Sequence, residues 1–280
     1  MKKYLTIGVL LLSAACTRSP EFRPFRLELD FRLPGATKVT DTAFEPSDQV
    51  GLWITESDAP LQVSGNFVNN VALMYDGTRW NPSSGLFWPA EDKPLDIYAY
   101  YPFTSIASVT ADPFVLPQDQ HDGFSGADFL WAKAEGRHRT SAPVLLVFSH
   151  RLSKVTVRLE KGKQYEGDLP QNAEVYLHET ITEGQIDYTT GSVTTDVFAM
   201  EPHSIRMHRV AEGEYEALVI PQRLDFRSPF LEVIGEGISY LAEGTFNFLP
   251  GVHHVFTLVL NTSPMDMEIS IDTTIENDWN

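Results

Sequence analysis

Cys16 is the only cysteine in this chain of 280 residues, and Ser13-Ala14-Ala15 stands directly before it. A thiol behind small residues can receive diacylglycerol through a thioether, because small side chains let an export peptidase bind the backbone closely. The residues upstream agree: Met1-Lys2-Lys3 is basic, and Tyr4 to Leu12 is a compact apolar run. That run is too short to span a bilayer, which needs about 20 apolar residues. The leucine usual three places before such a cysteine stands four before it, at Leu12, with Ser13 in its place. A secretory cut without lipidation, near the same point, is the alternative reading. A single cysteine also removes intrachain disulfides, zinc–cysteine sites, redox pairs and cysteine-based catalysis.

Other chemistry does not assemble from the sequence. The G-x-S-x-G, G-x-x-x-x-G-K-[ST] and H-E-x-x-H patterns are absent. Asp76-Gly77-Thr78-Arg79-Trp80 has the composition of an Asp-box but the wrong spacing, and a tight hairpin turn accounts for every residue of it. His203 and His208 are five apart, which puts them on opposite faces of a strand, and the adjacent His253 and His254 also diverge if extended. Metal sites need converging ligands, so none is predicted. His150, beside Arg151 at the start of a strand, suits a structural hydrogen bond. Folding could pair Asp122 with Asp128 as in a glycosidase, but nothing in their spacing requires it. Trp80, Trp88, Tyr98, Tyr100 and Tyr101 are either a sugar-stacking platform or sandwich core, and core is the preferred reading. The residues predict no enzyme, no metal and no cofactor.

These side chains are positioned by strands. Acidic residues outnumber basic ones by 38 to 21, a formal charge of -17, which disfavours nucleic acid and anionic membrane surfaces as partners. Hydrophobic residues make up 42%, as in a globular chain. Phe25 to Leu33 alternates strictly, with Phe25, Leu27, Leu29, Phe31 and Leu33 on one face and charges on the other. Further strands are predicted at 50–54, 71–75, 95–101, 128–132, 144–148, 155–159, 174–177, 215–220, 230–234, 238–241, 255–260 and 267–271. Residues 103–127 read as mostly loop and 134–142 as a polar connection. The fold class is all-β, built as β-sandwiches. A signal peptide at 1–15 and a tether at 16–24 precede two units, 25–142 and 143–280, each of ordinary domain size. One large sandwich is the alternative.

Several phrases together resemble the fimbrillin-like lipoproteins, the Mfa-like members of the fimbrillin superfamily in Bacteroidetes. They are FEPSDQVGLWI (44–54), YDGTRW (75–80), FWPAEDKPLDIYAYYPF (87–103), ADFLWA (127–132), FSHRLSKVTVRL (148–159), ALVIPQ (217–222), LPGVHHVFTLVL (249–260) and IENDW (275–279). The resemblance implies two tandem transthyretin-like β-sandwich domains. It implies subunits or accessory proteins of a fimbria, exported as lipoproteins and assembled at the outer membrane. It also implies that an arginine-specific protease removes the first strand, after which another subunit's strand fills the groove. Residues 25–33 resemble that first strand.

The linker departs from the pattern. Residues 34–48 contain no arginine and one basic residue, Lys38; Arg32 lies inside the strand, and Arg18, Arg23 and Arg26 precede its centre. Arg32 and Lys38 are therefore the candidate processing points, and the pattern suits an anchor, a tip or a non-polymerising relative that keeps its first strand. Trp279-Asn280 follows the last phrase closely, so no long C-terminal donor tail is expected. Thr17-Arg18-Ser19-Pro20 lacks the acidic run associated with surface export, so membrane attachment is expected more firmly than surface exposure. Expected partners are other fimbrial subunits through strand addition and a membrane through the lipid. The rival reading is a surface glycan-binding lipoprotein, with a glycan or host-surface ligand.

Overall fold

Alternation and turn residues set the strands of the first half. The computed structural model describes residues 24–33, 44–261 and 268–272, without the side chains of 125, 226–228 and 268–272. The first nine strands are β1 (Leu29–Arg32), β2 (Gln49–Glu56), β3 (Val68–Tyr75), β4 (Trp80–Pro82), β5 (Leu95–Tyr101), β6 (Asp112–Val115), β7 (Leu130–Arg137), β8 (Val144–Val147) and β9 (Ser149–His150). β3 and β4 form the hairpin read from the sequence, with Tyr75 opposite Trp80. Its turn is held by Asp76, whose Oδ1 accepts the Thr78 and Arg79 N–H groups at 2.8 Å each. Gly77 takes a φ of +94°, which a side chain would oppose.

Six of these strands make one sheet in the order β4-β3-β2-β5-β7-β9. Its central strands are apolar on both faces, which is why VGLWI and LDIYAYY read as near-continuous apolar runs. Val50, Leu52 and Ile54 of β2, Leu95, Ile97 and Ala99 of β5, and Leu130, Ala132 and Ala134 of β7 enter one core. Trp53, Tyr98 and Tyr100 point the other way, into a second core. The first core is closed by β1 and β8, a separate parallel pair contributing Phe31, Val144 and Leu146, with Leu27 and Phe148 beside them.

The second half adds β10 (Ser153–Lys161), β11 (Glu174–Thr180), β12 (Glu183–Asp187), β13 (Ser192–Thr194), β14 (His203–Arg206), β15 (His208–Ala211), β16 (Glu214–Val219), β17 (Gln222–Gly235), β18 (Ile238–Phe248), β19 (His253–Leu260) and β20 (Glu268–Asp272). A five-stranded sheet, β15-β16-β10-β19-β20, and a four-stranded one, β14-β11-β17-β18, share the second core. A three-stranded sheet, β13-β12-β6, joins the halves. Two buried glutamines complete backbone pairing where strands end. Gln120 accepts from the Leu218 N–H and donates to the Leu218 carbonyl, and Gln222 does the same for Ile181. Among the described residues there is no α-helix, only a 3₁₀ turn at Ser125–Ala127.

Several expectations change. The buried residues do not sort by core at 142/143: Val144, Leu146 and Phe148 still enter the first core, because β8 pairs with β1 and β9 with β7, while Trp53, Tyr98, Tyr100 and Phe129 already enter the second. The region 103–127 contains β6, stabilised by a partner in the other half. β7 runs on to Arg137, where 134–142 was expected to be a connection. β12 to β15 carry no periodicity long enough to read. His203 and His208 are not on one strand: Met207, buried at 3%, separates β14 and β15 into different sheets. The signal segment 1–15, Cys16 and Lys38 lie outside the described residues.

His254 shows what one buried polar ring costs. It is 6% exposed, its Nε2 accepts the Leu249 N–H at 3.2 Å, and Phe246 and Phe248 meet it edge-on at 5.0 and 5.9 Å. Burial, reinforced by neighbouring His253, pushes its pKa down to about 4. The folded-state value lies below the ordinary one, so the stability contributed by the neutral ring is complete above about pH 6.5 and lost as pH falls toward 4. The loss is about 3 kcal/mol. Urea-unfolding free energy should fall by that order across this window, and His254→Gln should flatten the fall. An unchanged slope in the variant would assign the loss to other groups.

Candidate functional site: the first strand and its groove

Residues 25–33 are held in two successive registers. Arg26 bridges Phe87 in antiparallel fashion. Around that bridge the Leu27 N–H donates to the Leu86 carbonyl at 3.0 Å and the Trp88 N–H to the Phe25 carbonyl at 2.8 Å. From Glu28 onward the segment runs parallel to β8. There the Val144 N–H donates to the Glu28 carbonyl and the Phe148 N–H to the Arg32 carbonyl, each at 2.8 Å. β1 has β8 as its one neighbouring strand among the described residues. It is an edge strand on a thin layer.

Apolar plugs complete its attachment. Leu27 and Phe31 are 3% and 7% exposed, and Leu29 and Leu33 are half-buried against the same core. Phe25 was expected inward too, but it is exposed, because it pairs with 86–88 ahead of the stretch that β8 covers. Phe31 meets Trp80 edge-on at 5.2 Å and lies 5.7 Å from Phe148. Phe44, where the described chain resumes, packs on Trp80 and Phe148 at 4.8 and 5.6 Å. Outward, Arg32 pairs with Asp30 at 2.8 Å. Withdrawing the strand would uncover Leu86, Trp88, Trp80, Val144, Leu146 and Phe148 and free the backbone edge of β8.

Arg32, one candidate processing residue, has an exposed side chain but a carbonyl engaged by Phe148. Proteases take substrate as an unpaired extended chain, so cutting there requires the strand to detach. The sugar-platform aromatics are core: Trp88, Tyr98 and Tyr100 are buried, and Trp80 and Tyr101 half-buried. Burial pushes the Tyr100 and Tyr101 hydroxyls up to about 12. His150 bonds Asp128 at 2.7 Å in a buried structural pair, while Asp122 bonds His121 at 3.0 Å. Among the described residues no group of three His, Cys, Asp or Glu side chains is placed to hold a metal ion, and no helix is long and apolar enough to cross a membrane. Sequence reasoning expected a strand at 144–148 but missed its place beside the first strand, and missed the Phe44–Trp80–Phe148 clamp. Val144 to Phe148 is apolar throughout, so its inward and outward residues could not be told apart.

Residues 37–279 match a family model described as fimbrillin-like. The chain belongs to the fimbrillin-like family. The match takes in the groove but begins past the strand that fills it. The fimbrillin-like chain is 24% identical to the Bacteroides uniformis protein named "Putative fimbrium subunit Fim1C", across 100% of this chain and 96% of the relative. Its fold resembles a crystal structure of a "putative cell adhesion protein" from Bacteroides uniformis, with TM-score 0.70 and 20% identity over 91% of this chain and 98% of that one. A protein of the same description from Bacteroides ovatus gives 0.69 and 19% over 89% and 96%. The family read from eight short phrases is the family matched.

Phe31→Ala should loosen the first strand at a cost of about 3 kcal/mol. Hydrogen exchange at the Val144 and Phe148 amides should then accelerate by about two orders of magnitude, with β10 and β19 unchanged. Uniform acceleration across both cores would show that the strand does not open on its own.

Proposed function

We propose that this fimbrillin-like chain is a structural, non-enzymatic component of a cell-surface fimbria, an anchor or tip subunit that joins its neighbours by β-strand exchange. The observation that carries the reading is the attachment of residues 25–33: main-chain bonds to β8 and to the short segment 86–88, two buried plugs and an aromatic groove beneath. Strand addition needs such an edge, where main-chain bonds supply affinity and alternate side chains fill pockets. Family membership supports a place in the cell envelope. Outer-membrane attachment through lipid on Cys16, and division into tandem transthyretin-like sandwiches, belong to the same proposal.

Retention of the first strand is the finer part. It is supported by the absence of arginine from 34–48 and by the hydrogen bond on the Arg32 carbonyl. Lys38 is the remaining point at which a protease could release the strand. The glycan-binding alternative loses its motive, since the rings that suggested it are core.

Deleting residues 25–33 should red-shift tryptophan fluorescence by uncovering Trp80 and Trp88, and a synthetic peptide of that sequence should reverse the shift. A shift that the peptide leaves unchanged would defeat exchange at this groove. Protein recovered from cells should begin at lipidated Cys16. A start after Arg32 or Lys38 would instead identify a processed stalk subunit.

A further inference from the structure

The first strand leaves one polar group of its groove without a partner. Trp88 is 3% exposed, and among the described residues its enclosed Nε1–H has no acceptor. Such a donor has given up its hydrogen bond to water and gained nothing in return. Trp53, Thr55, Asp128, Arg151 and Thr182 also hold enclosed polar atoms of this kind, but Trp88 is the one whose backbone bonds to the first strand. The register says which residue of that strand adjoins it. Arg26 and Phe87 are antiparallel bridge partners, so Phe25 stands opposite Trp88 and Leu27 opposite Leu86. Side chains alternate across the ladder, so these four share one face, with opposed Cβ atoms about 5 Å apart. Leu27, Leu86 and Trp88 are buried on that face, whereas Phe25 is 39% exposed. Neither Phe25 nor Leu27 has an acceptor to offer the indole.

This end of the strand is also the more lightly held. A single bridge secures Arg26, whereas four consecutive pairs join residues 29–32 to β8, and the ring contacts of Phe31 lie among them. Resting on the strand-exchange reading of this groove, we infer that the resident strand is an imperfect occupant and that the position opposite Trp88 selects its replacement. The preferred occupant is an extended strand of another subunit with an uncharged amide side chain, glutamine or asparagine, at the place of Phe25. Its amide oxygen accepts from Trp88 Nε1, while apolar side chains at the places of Leu27 and Phe31 fill the same core. A carboxylate also accepts, but its charge is costlier to bury beside Leu27 and Leu86. The selective contact falls at the end that the resident strand holds least, so an incoming strand makes it before it must dislodge Phe31.

The contact can be installed on the resident strand of the full chain. Phe25→Gln should slow hydrogen exchange at the Leu27 and Trp88 amides by about 10-fold relative to Phe25→Leu, which removes the ring without adding an acceptor. The Trp88 indole N–H resonance should move downfield and gain protection in the glutamine variant only. Trp88→Phe should abolish the difference between the two variants. Equal exchange in both, with Trp88 in place and its indole resonance unmoved, overturns the contact. Selection is then read with labelled peptides of sequence 25–33, supplied in large excess to the full-chain Phe31→Ala variant, whose own strand is loosened. The peptide carrying Phe25→Gln should compete about 10-fold better than the native one. Entry of the native peptide with no gain from glutamine overturns the selection and leaves strand exchange standing. Entry of neither peptide, in a chain where the full-length contact forms, rejects exchange and the selection with it.

Discussion

The six-stranded sheet is buried on both faces, and the rest of the molecule follows from that constraint. A strand has two sides, and in β2, β5 and β7 alternate residues serve different cores. On the second side Trp53 stacks on Tyr100 at 4.8 Å, and Tyr188 from the far half lies 5.2 Å from Trp53 and 4.8 Å from Tyr100. Phe129 joins at 5.8 Å. Two polar contacts cross this seam: Trp131 Nε1 donates to the Tyr188 carbonyl at 2.7 Å, and the Tyr188 hydroxyl to Asp112 at 3.3 Å. Gly191, at a φ of +72°, lies so close to the Trp131 ring that a Cβ would overlap it. The halves are joined by packed aromatic surface.

The other side of the sheet is covered lightly. Two short strands and the segment 86–88 close the first core, and the first of those strands lies at the edge. Its two plugs, Leu27 and Phe31, contribute about 2–3 kcal/mol each by burial. That is enough to hold the strand and too little to make it part of the seam. Exchange replaces one strand's plugs and main-chain bonds with another's, so the net free-energy change stays small while the bonds at stake are many. The proposed exchange involves the first core only, since the strand and its groove contribute no side chain to the second.

Much of this was legible in the sequence. Alternation over 25–33 marked Leu27 and Phe31 as inward, and Asp76-Gly77 marked the hairpin. The aromatics at 80–101 were readable as core because alternating aromatic side chains are what a sandwich core requires. Family phrases survived because they are strand and turn chemistry, which local residues specify.

Tertiary structure alone decided which strand lies beside which, and which core each face enters. A period of two states that a side chain points inward, not toward what. Val144 to Phe148 follows the expected boundary in sequence yet covers the first core, because β1 offers it a parallel partner from the far end of the chain. β6 exists because β12 pairs with it, and four residues containing a proline would not be extended in isolation. His203 and His208 parted into two sheets because Met207 is drawn into the core between them. Sequence by itself determined the all-β class, the Asp76-Gly77 turn and the inward face of strands that alternate, since neighbouring residues carry those. Pairing is a choice among distant segments, made by complementary packing and backbone hydrogen bonds that exist only once the chain has folded.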